Sequence, residues 1–322
     1  MNTRRLAACL VLSLTVSACG PSPGGPPATP AASPDSTASP TTSPSPSALA
    51  ELCVGPESAG IDLPQVVRQY LAAWNEHDAE ARVRILDDIW ADDATYLESP
   101  GLADGPVVGR EEMSDLIGQN QGPEGTWFEP RAWHEGYAHH DVLVMPWRQC
   151  TPDGPTGVIG TDYAELDAQD RMTLAVGFSP LTPDGSGIGE RPTAVCAGPD
   201  SVDWSAMPPI VERYTAAWNS AASAERESIL NAIADEETQM AGSWDPSTPV
   251  GPDEITEFID QWTTPGNYFE LSTWGDGDHH DGWFHVRWRE CASTGEGLGE
   301  GIEILRVDSD GNLERAASFA GL

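Results

Sequence analysis

The sequence predicts an α+β protein built twice over, each copy a curved, mostly antiparallel sheet wrapped around three helices. Three observations predict it: the chain repeats itself, helical spacing opens each copy, and period-two segments close it. The repeat comes first. Cys53-Val54-Gly55-Pro56 and Cys196-Ala197-Gly198-Pro199 begin the copies, and Tyr70-Leu71-Ala72-Ala73-Trp74-Asn75 answers Tyr214-Thr215-Ala216-Ala217-Trp218-Asn219. From Phe128 to Leu181 the chain aligns without a gap on Phe269 to Leu322, at a constant offset of 141. Trp133, His139, Trp147, Arg148, Cys150 and Gly160 there meet Trp274, His280, Trp288, Arg289, Cys291 and Gly301. The expected organisation is 1–18 signal, 19–50 linker, 51–181 first copy, 182–193 link and 194–322 second copy.

Within the first copy, apolar residues at 63, 66, 67, 70, 71 and 74 predict a helix, with Asp62 as N-cap and Pro64 near its first turn. A second helix is expected over Ala79 to Trp90 and a short strand over Thr95 to Leu97. A third helix, introduced by Gly109-Arg110, is expected over Glu111 to Ile117. Four strands then follow: Trp127–Tyr137, Val142–Gln149, Val158–Leu166 and Met172–Ser179.

Composition narrows the function. Acids outnumber bases 51 to 16, a net charge of −35, and every base is arginine. Without lysine there is no Schiff-base lysine and no Walker-type phosphate loop, and the acidic balance argues against nucleic acid as a partner. The beginning of the chain is an export address. Arg4 and Arg5 precede an apolar run, Leu6 to Val16, too short to span a bilayer. It ends in Val16-Ser17-Ala18-Cys19, which resembles the lipobox of bacterial lipoproteins. That resemblance implies lipid on Cys19 and attachment to the outer face of the cell membrane; the alternative is a plain secretory signal cut after Ala18. From Gly20 to Ala48, nine of 29 residues are proline, which predicts an extended, solvated linker reaching up to ~90 Å. Four cysteines remain after Cys9 and Cys19, and the repeat pairs Cys53 with Cys150 and Cys196 with Cys291. A zinc or redox site would want a C-x-x-C spacing, which is absent from the sequence.

Four stretches of the first copy carry a further likeness. They are Ala72-Ala73-Trp74-Asn75, the segment Trp90 to Tyr96, the His139-His140-Asp141 turn before Trp147-Arg148, and Gly160 to Asp167 before Met172 to Phe178. Together they resemble the SnoaL-like branch of the nuclear transport factor 2-like superfamily. In the second copy the likeness is weaker, with Gln239 read at the place of Tyr96. The resemblance implies a cone-shaped domain with a cavity between sheet and helices. It also implies a range of roles, from steroid isomerases, polyketide cyclases and epoxide hydrolases to non-catalytic binding domains, and a habit of pairing through sheet faces.

Strand alternation then selects pocket candidates. In the first copy these are Leu143, Met145 and Trp147, with Tyr96 and Trp133 on the wall; in the second they are Phe284, Trp288 and Glu303. His139 and His280 fall on the same parity if their strands run back that far. Asp162 lies among apolar neighbours, where an acid has a raised pKa and acts as a base or acid, with His139 as its partner. Two functions remain open. One is non-enzymatic binding of a small apolar molecule or an envelope protein. The other is a cofactor-free isomerase, cyclase or hydrolase acting through Asp162 and His139. No cofactor or metal is expected, since adjacent residues such as His139 and His140 point to opposite faces of a strand. The tandem is expected to be a monomer that pairs with itself.

Overall fold

The computed structural model describes residues 62–99, 102–103, 105–131, 133, 135–179, 207–273 and 278–320, with Cys53, residues 196–198 and Trp204. The export segment, Cys19, the linker, the 182–193 link and Trp274 lie outside the described residues.

Helix α1, Gln65–Asn75, buries Val66, Val67, Tyr70, Leu71 and Ala73 along one stripe. It starts after Pro64 with no side-chain cap, so Asp62 does not take the role expected of it. Helix α2, Ala79–Ile89, is capped by Asp78, whose carboxylate accepts from the Ala81 amide at 2.8 Å. Strand β1 runs over Trp90–Glu98, longer than expected, because it pairs in parallel with β7. The two-residue strand β2, Val107–Val108, leads into α3, Gly109–Asn120. The long strand expected over 127–137 is broken. Strand β3 spans only Trp127–Pro130, since proline has no N–H to continue a ladder, and a helical turn at Glu135–Tyr137 precedes β4, Ala138–His139. Strands β5, Val142–Thr151, β6, Gly154–Leu166, and β7, Met172–Phe178, complete a seven-stranded sheet in the order β2-β1-β7-β6-β5-β3, with β4 beside β5.

The second half repeats this plan with helices α4, Pro209–Asn219, α5, Ser223–Leu230, and α6, Gly251–Trp262. Its strands are β8, Ala234–Gly242, β9, Tyr268–Thr273, β10, His279–His280, β11, Trp283–Cys291, β12, Gly297–Val307, and β13, Leu313–Ala320. They form a six-stranded sheet in the order β10-β11-β12-β13-β8, with β9 on β11. Register corrects one equivalence. Tyr96 pairs with Ala175 and Met240 pairs with Ala316, 141 residues on. Met240, not Gln239, therefore stands where Tyr96 does, and Gly242 stands where Glu98 does.

Each half is closed by its own disulfide, Cys53–Cys150 and Cys196–Cys291. Beside each bridge lies a buried arginine–acid pair, Arg148 with Glu129 at 2.7 Å and Arg289 with Glu270 at 3.6 Å.

Three clusters order the layers. One core lies between the first helices and the inner face of the first sheet, including Tyr70, Tyr96, Met113, Leu143 and Met145. Its counterpart in the second half includes Tyr214, Met240, Ile255, Phe284 and Val286. The third lies between the sheets, where Val142, Val144, Tyr163, Val176 and Phe178 meet Trp283, Ile302, Ile304, Ala317 and Phe319. The order is helices, sheet, sheet, helices, within one compact unit. Among the described residues no helix is long and apolar enough to cross a membrane.

Candidate functional site

In both halves the floor of the cone is an acid on the middle strand held by a tyrosine of the first helix. Asp162 on β6 accepts from the Tyr70 hydroxyl at 2.8 Å and from the Trp147 indole N–H at 2.9 Å. Glu303 on β12 accepts from the Tyr214 hydroxyl at 2.5 Å. Both acids are buried, and burial pushes each up to about 7. For Asp162 the charge of nearby Glu98 adds to the rise; for Glu303 hydrogen bonds from Tyr214 and Ser318 oppose it.

What surrounds the acids differs. The first cone holds Tyr96, whose hydroxyl donates to Glu98 at 2.5 Å, and Glu98 itself, with a pKa raised by burial. Trp74 packs at 6.5 Å from Tyr96 and 5.3 Å from Phe128, and Phe128 at 5.4 Å from Trp147. In the second half Met240 and Gly242 replace Tyr96 and Glu98. A cavity of about 260 Å³ opens there, with Trp218, Trp244, Trp262, Trp288, Phe269 and Glu303 among its walls. This lies just under the range typical of small-molecule sites, ~300–1,000 Å³. Two indole N–H groups of the lining, on Trp244 and Trp288, are buried without a hydrogen-bond partner. Trp147, the counterpart of Trp288, spends the same N–H on Asp162.

The expected site residues separate accordingly. Tyr96, Leu143, Met145, Trp147 and Asp162 gather around the first cone, and Trp288 and Glu303 line the second. Phe284 is buried in the core behind that lining. Trp133 packs against both the first core and the layer between the sheets, edge-on to Tyr137 at 5.9 Å. His139 and His280 are on the other face of their sheets. The parity argument fails because each belongs to a two-residue hairpin: His139 pairs with Val142 and His280 with Trp283. Directly opposed residues share a face, and Val142 and Trp283 face the other half of the molecule. The hairpins turn through positive φ at His140 and Asp141, and at Asp281 and Gly282.

These histidines clasp the halves together reciprocally. His139 Nε2 meets the Ser318 carbonyl at 3.0 Å and His280 Nε2 meets the Gly177 carbonyl at 2.8 Å. Both partners obey the offset of 141, so the contact has the self-complementary form of a two-fold interface. His139 therefore does not assist Asp162. Among the described residues, the donor groups close enough to share one ion are Cys53, Glu129 and Cys150, and Cys196, Glu270 and Cys291. Their sulfurs are bonded to each other and offer no thiolate.

Sequence reading missed several contributors, Glu98, Trp218 and Phe269 among them. Tyr70 and Tyr214 stood in plain view, at the same place in the repeated Tyr-x-Ala-Ala-Trp-Asn motif. Trp244 and Trp262 carried no such signal, because the repeat places Pro100 and Asn120 opposite them.

No protein-family model and no curated protein matches the chain. Solved structures similar to it include a protein of the SnoaL-like family from Agrobacterium tumefaciens, 22% identical over 35% of this chain and 95% of its own, with a TM-score of 0.32. A protein of unknown function with a cystatin-like fold from Methylobium petroleophilum is 17% identical over 39% and 80%, with a TM-score of 0.29. An NTF2-like protein of unknown function from Mesorhizobium loti is 19% identical over 36% and 88%, with a TM-score of 0.26.

Proposed function

We propose that this chain is an exported, lipid-anchored envelope protein that binds a small, mostly apolar molecule with a polar group in its second cone, without transforming it. The observation that carries the reading is the second-half cavity, walled by aromatic rings and floored by the buried Glu303–Tyr214 pair. An apolar wall with a few convergent polar groups is the usual make-up of a ligand site. Binding is favoured over catalysis because the histidine that would serve as proton partner in each half is spent between the sheets.

The anchor rests on Arg4, Arg5, the apolar run and Cys19; the two disulfides accord with an oxidising compartment outside the cytoplasm. The interface formed internally leaves the chain a monomer in this reading. Four of the twelve tryptophans line the cavity, so ligand entry changes tryptophan emission as well as thermal stability. A panel of small amphiphiles is expected to contain members that do both. A panel that moves neither signal overturns the binding role. Palmitate labelling that persists after Cys19→Ala overturns the anchor.

A further inference from the structure

We infer that the second cone takes a compact organic cation, a tertiary or quaternary ammonium group seated in a box of indole rings above Glu303. This rests on the second cone being the ligand site, and it names the class of ligand. The rings are set steeply to one another. Trp244 and Trp262 lie 5.9 Å apart at 66°, Trp244 and Trp288 6.5 Å apart at 87°, and Phe269 and Trp288 5.6 Å apart at 77°. Mutually steep rings can turn several faces on one volume, the arrangement of an aromatic cage around an ammonium group. Two members of the box, Trp244 and Trp262, are additions of the second half.

Charge points the same way. Among the described residues the lining contains two acids, Glu303 and Glu290, and no arginine or histidine. A buried carboxylate without a counter-charge is costly, and the Tyr214 and Ser318 hydroxyls do not supply one. An ammonium group does. The partnerless N–H groups of Trp244 and Trp288 would suit an oxygen acceptor on the same ligand. A net charge of −35 further draws cations and repels anions at long range.

The groups facing Glu303 are Tyr214 from α4, Ser318 from β13, and Val286 and Trp288 from β11, with Glu290 of β11 the other acid of the cavity. Glu303 sits near half-ionised at neutral pH. A cation drives its ionisation, so binding releases a proton and tightens as pH rises through about 7. A neutral ligand that accepts a hydrogen bond from the protonated acid weakens over the same range.

The test uses the full chain, with choline, tetramethylammonium and dimethylbutanol, the uncharged carbon isostere of choline. Binding is followed by calorimetry and tryptophan emission on either side of neutral pH. Choline is expected to bind at least ~10-fold more tightly than dimethylbutanol, to tighten with pH, and to lose its preference in Glu303→Gln. If that variant does not fold, Trp262→Leu at the exposed rim serves, with choline weakened by a larger factor than dimethylbutanol. Dimethylbutanol binding as tightly as choline, or choline weakening with pH, overturns the cation assignment and leaves the apolar site standing. If all three probes and the amphiphile panel fail to bind, both readings fall.

Discussion

The two halves share one scaffold and differ in what fills it. At equivalent places on the first strand, the first half carries Tyr96 and Glu98, fully buried and joined through the tyrosine hydroxyl. The second half carries Met240 and Gly242; neither lines its cavity, and Phe258 and Trp244 pack where a Gly242 side chain would stand. A Cβ on Gly177 would press on Glu98, and one on Gly242 would press on Phe258 and Trp244, so each side chain is fitted to its own neighbours. These two positions set what packs against the first strand of each half. The framework around it, bridge and floor acid included, is indifferent to the choice. Duplication thus lets one scaffold carry two different linings.

If the framework is shared, the largest effects should be equal in the two halves. The bridges close loops with sequence separations of 97 and 95. Replacing either cysteine pair by serine should cost about 4–5 kcal/mol by the chain-entropy model, measured by denaturant unfolding. A large loss in one half and a negligible one in the other would break the equivalence. The contrast itself is tested next, by exchange. Tyr96→Met with Glu98→Gly should hollow the first cone at a cost of about 2–4 kcal/mol, the usual toll of large-to-small core changes. Met240→Tyr with Gly242→Glu should abolish ligand binding. A doubly exchanged protein that still binds through its second half would show that these two positions do not control the cavity.

Sequence made the scaffold legible because repetition and periodicity are local signals. The offset of 141 exposes the second half and pairs the cysteines, and strand alternation places Asp162, Met145 and Trp147 on one face. Alternation stopped working at the His139 hairpin, where two residues with positive φ reverse the chain. The motif His-His-Asp does not resemble the usual Asn-Gly turn, so the reversal was hidden. The hollow second cone was hidden for another reason. It depends on the register of β8, where the matches Ala91–Ala234, Asp92–Asp235 and Thr95–Thr238 favour Gln239 while the offset of 144 carried on from Tyr70 and Tyr214 gives Met240, and on Trp244 and Trp262, which come together only in three dimensions.

The histidine clasp is the next contrast to sharpen. Burial, and then the neighbouring His140, hold His139 down at about 4, against about 6.5 for a free imidazole. The folded state thus binds fewer protons than the unfolded chain between those values, and the stability that neutral His139 contributes is present above pH ~6.5 and lost as pH falls towards 4. The full shift is worth at most about 3 kcal/mol, and less for a ring in partial contact with solvent. His139→Gln should flatten this part of the stability–pH curve in chemical denaturation. An unchanged slope would mean that burial does not hold the ring neutral.

The smallest effect isolates what Glu98 does to its neighbour. Asp162 and Glu303 occupy equivalent positions and both sit at about 7, for partly different reasons: burial raises both, and the charge of Glu98 adds to it only for Asp162. An acid raised in the fold stabilises the protein fully below its unfolded value, ~4, and that stability disappears as pH rises through the folded value. Glu98→Gln removes the like charge and keeps the burial. The midpoint of Asp162 should then fall while remaining above that of a solvated aspartate, and the pH window in which it stabilises the fold should narrow from its upper edge. Glu303, in the half without a Glu98 counterpart, serves as the internal reference. Carboxyl carbon shifts followed by NMR titration distinguish the two. A fall in Asp162 alone fixes the coupling to the first cone; equal movement of both acids, or of neither, would show that Glu98 acts through something other than its charge.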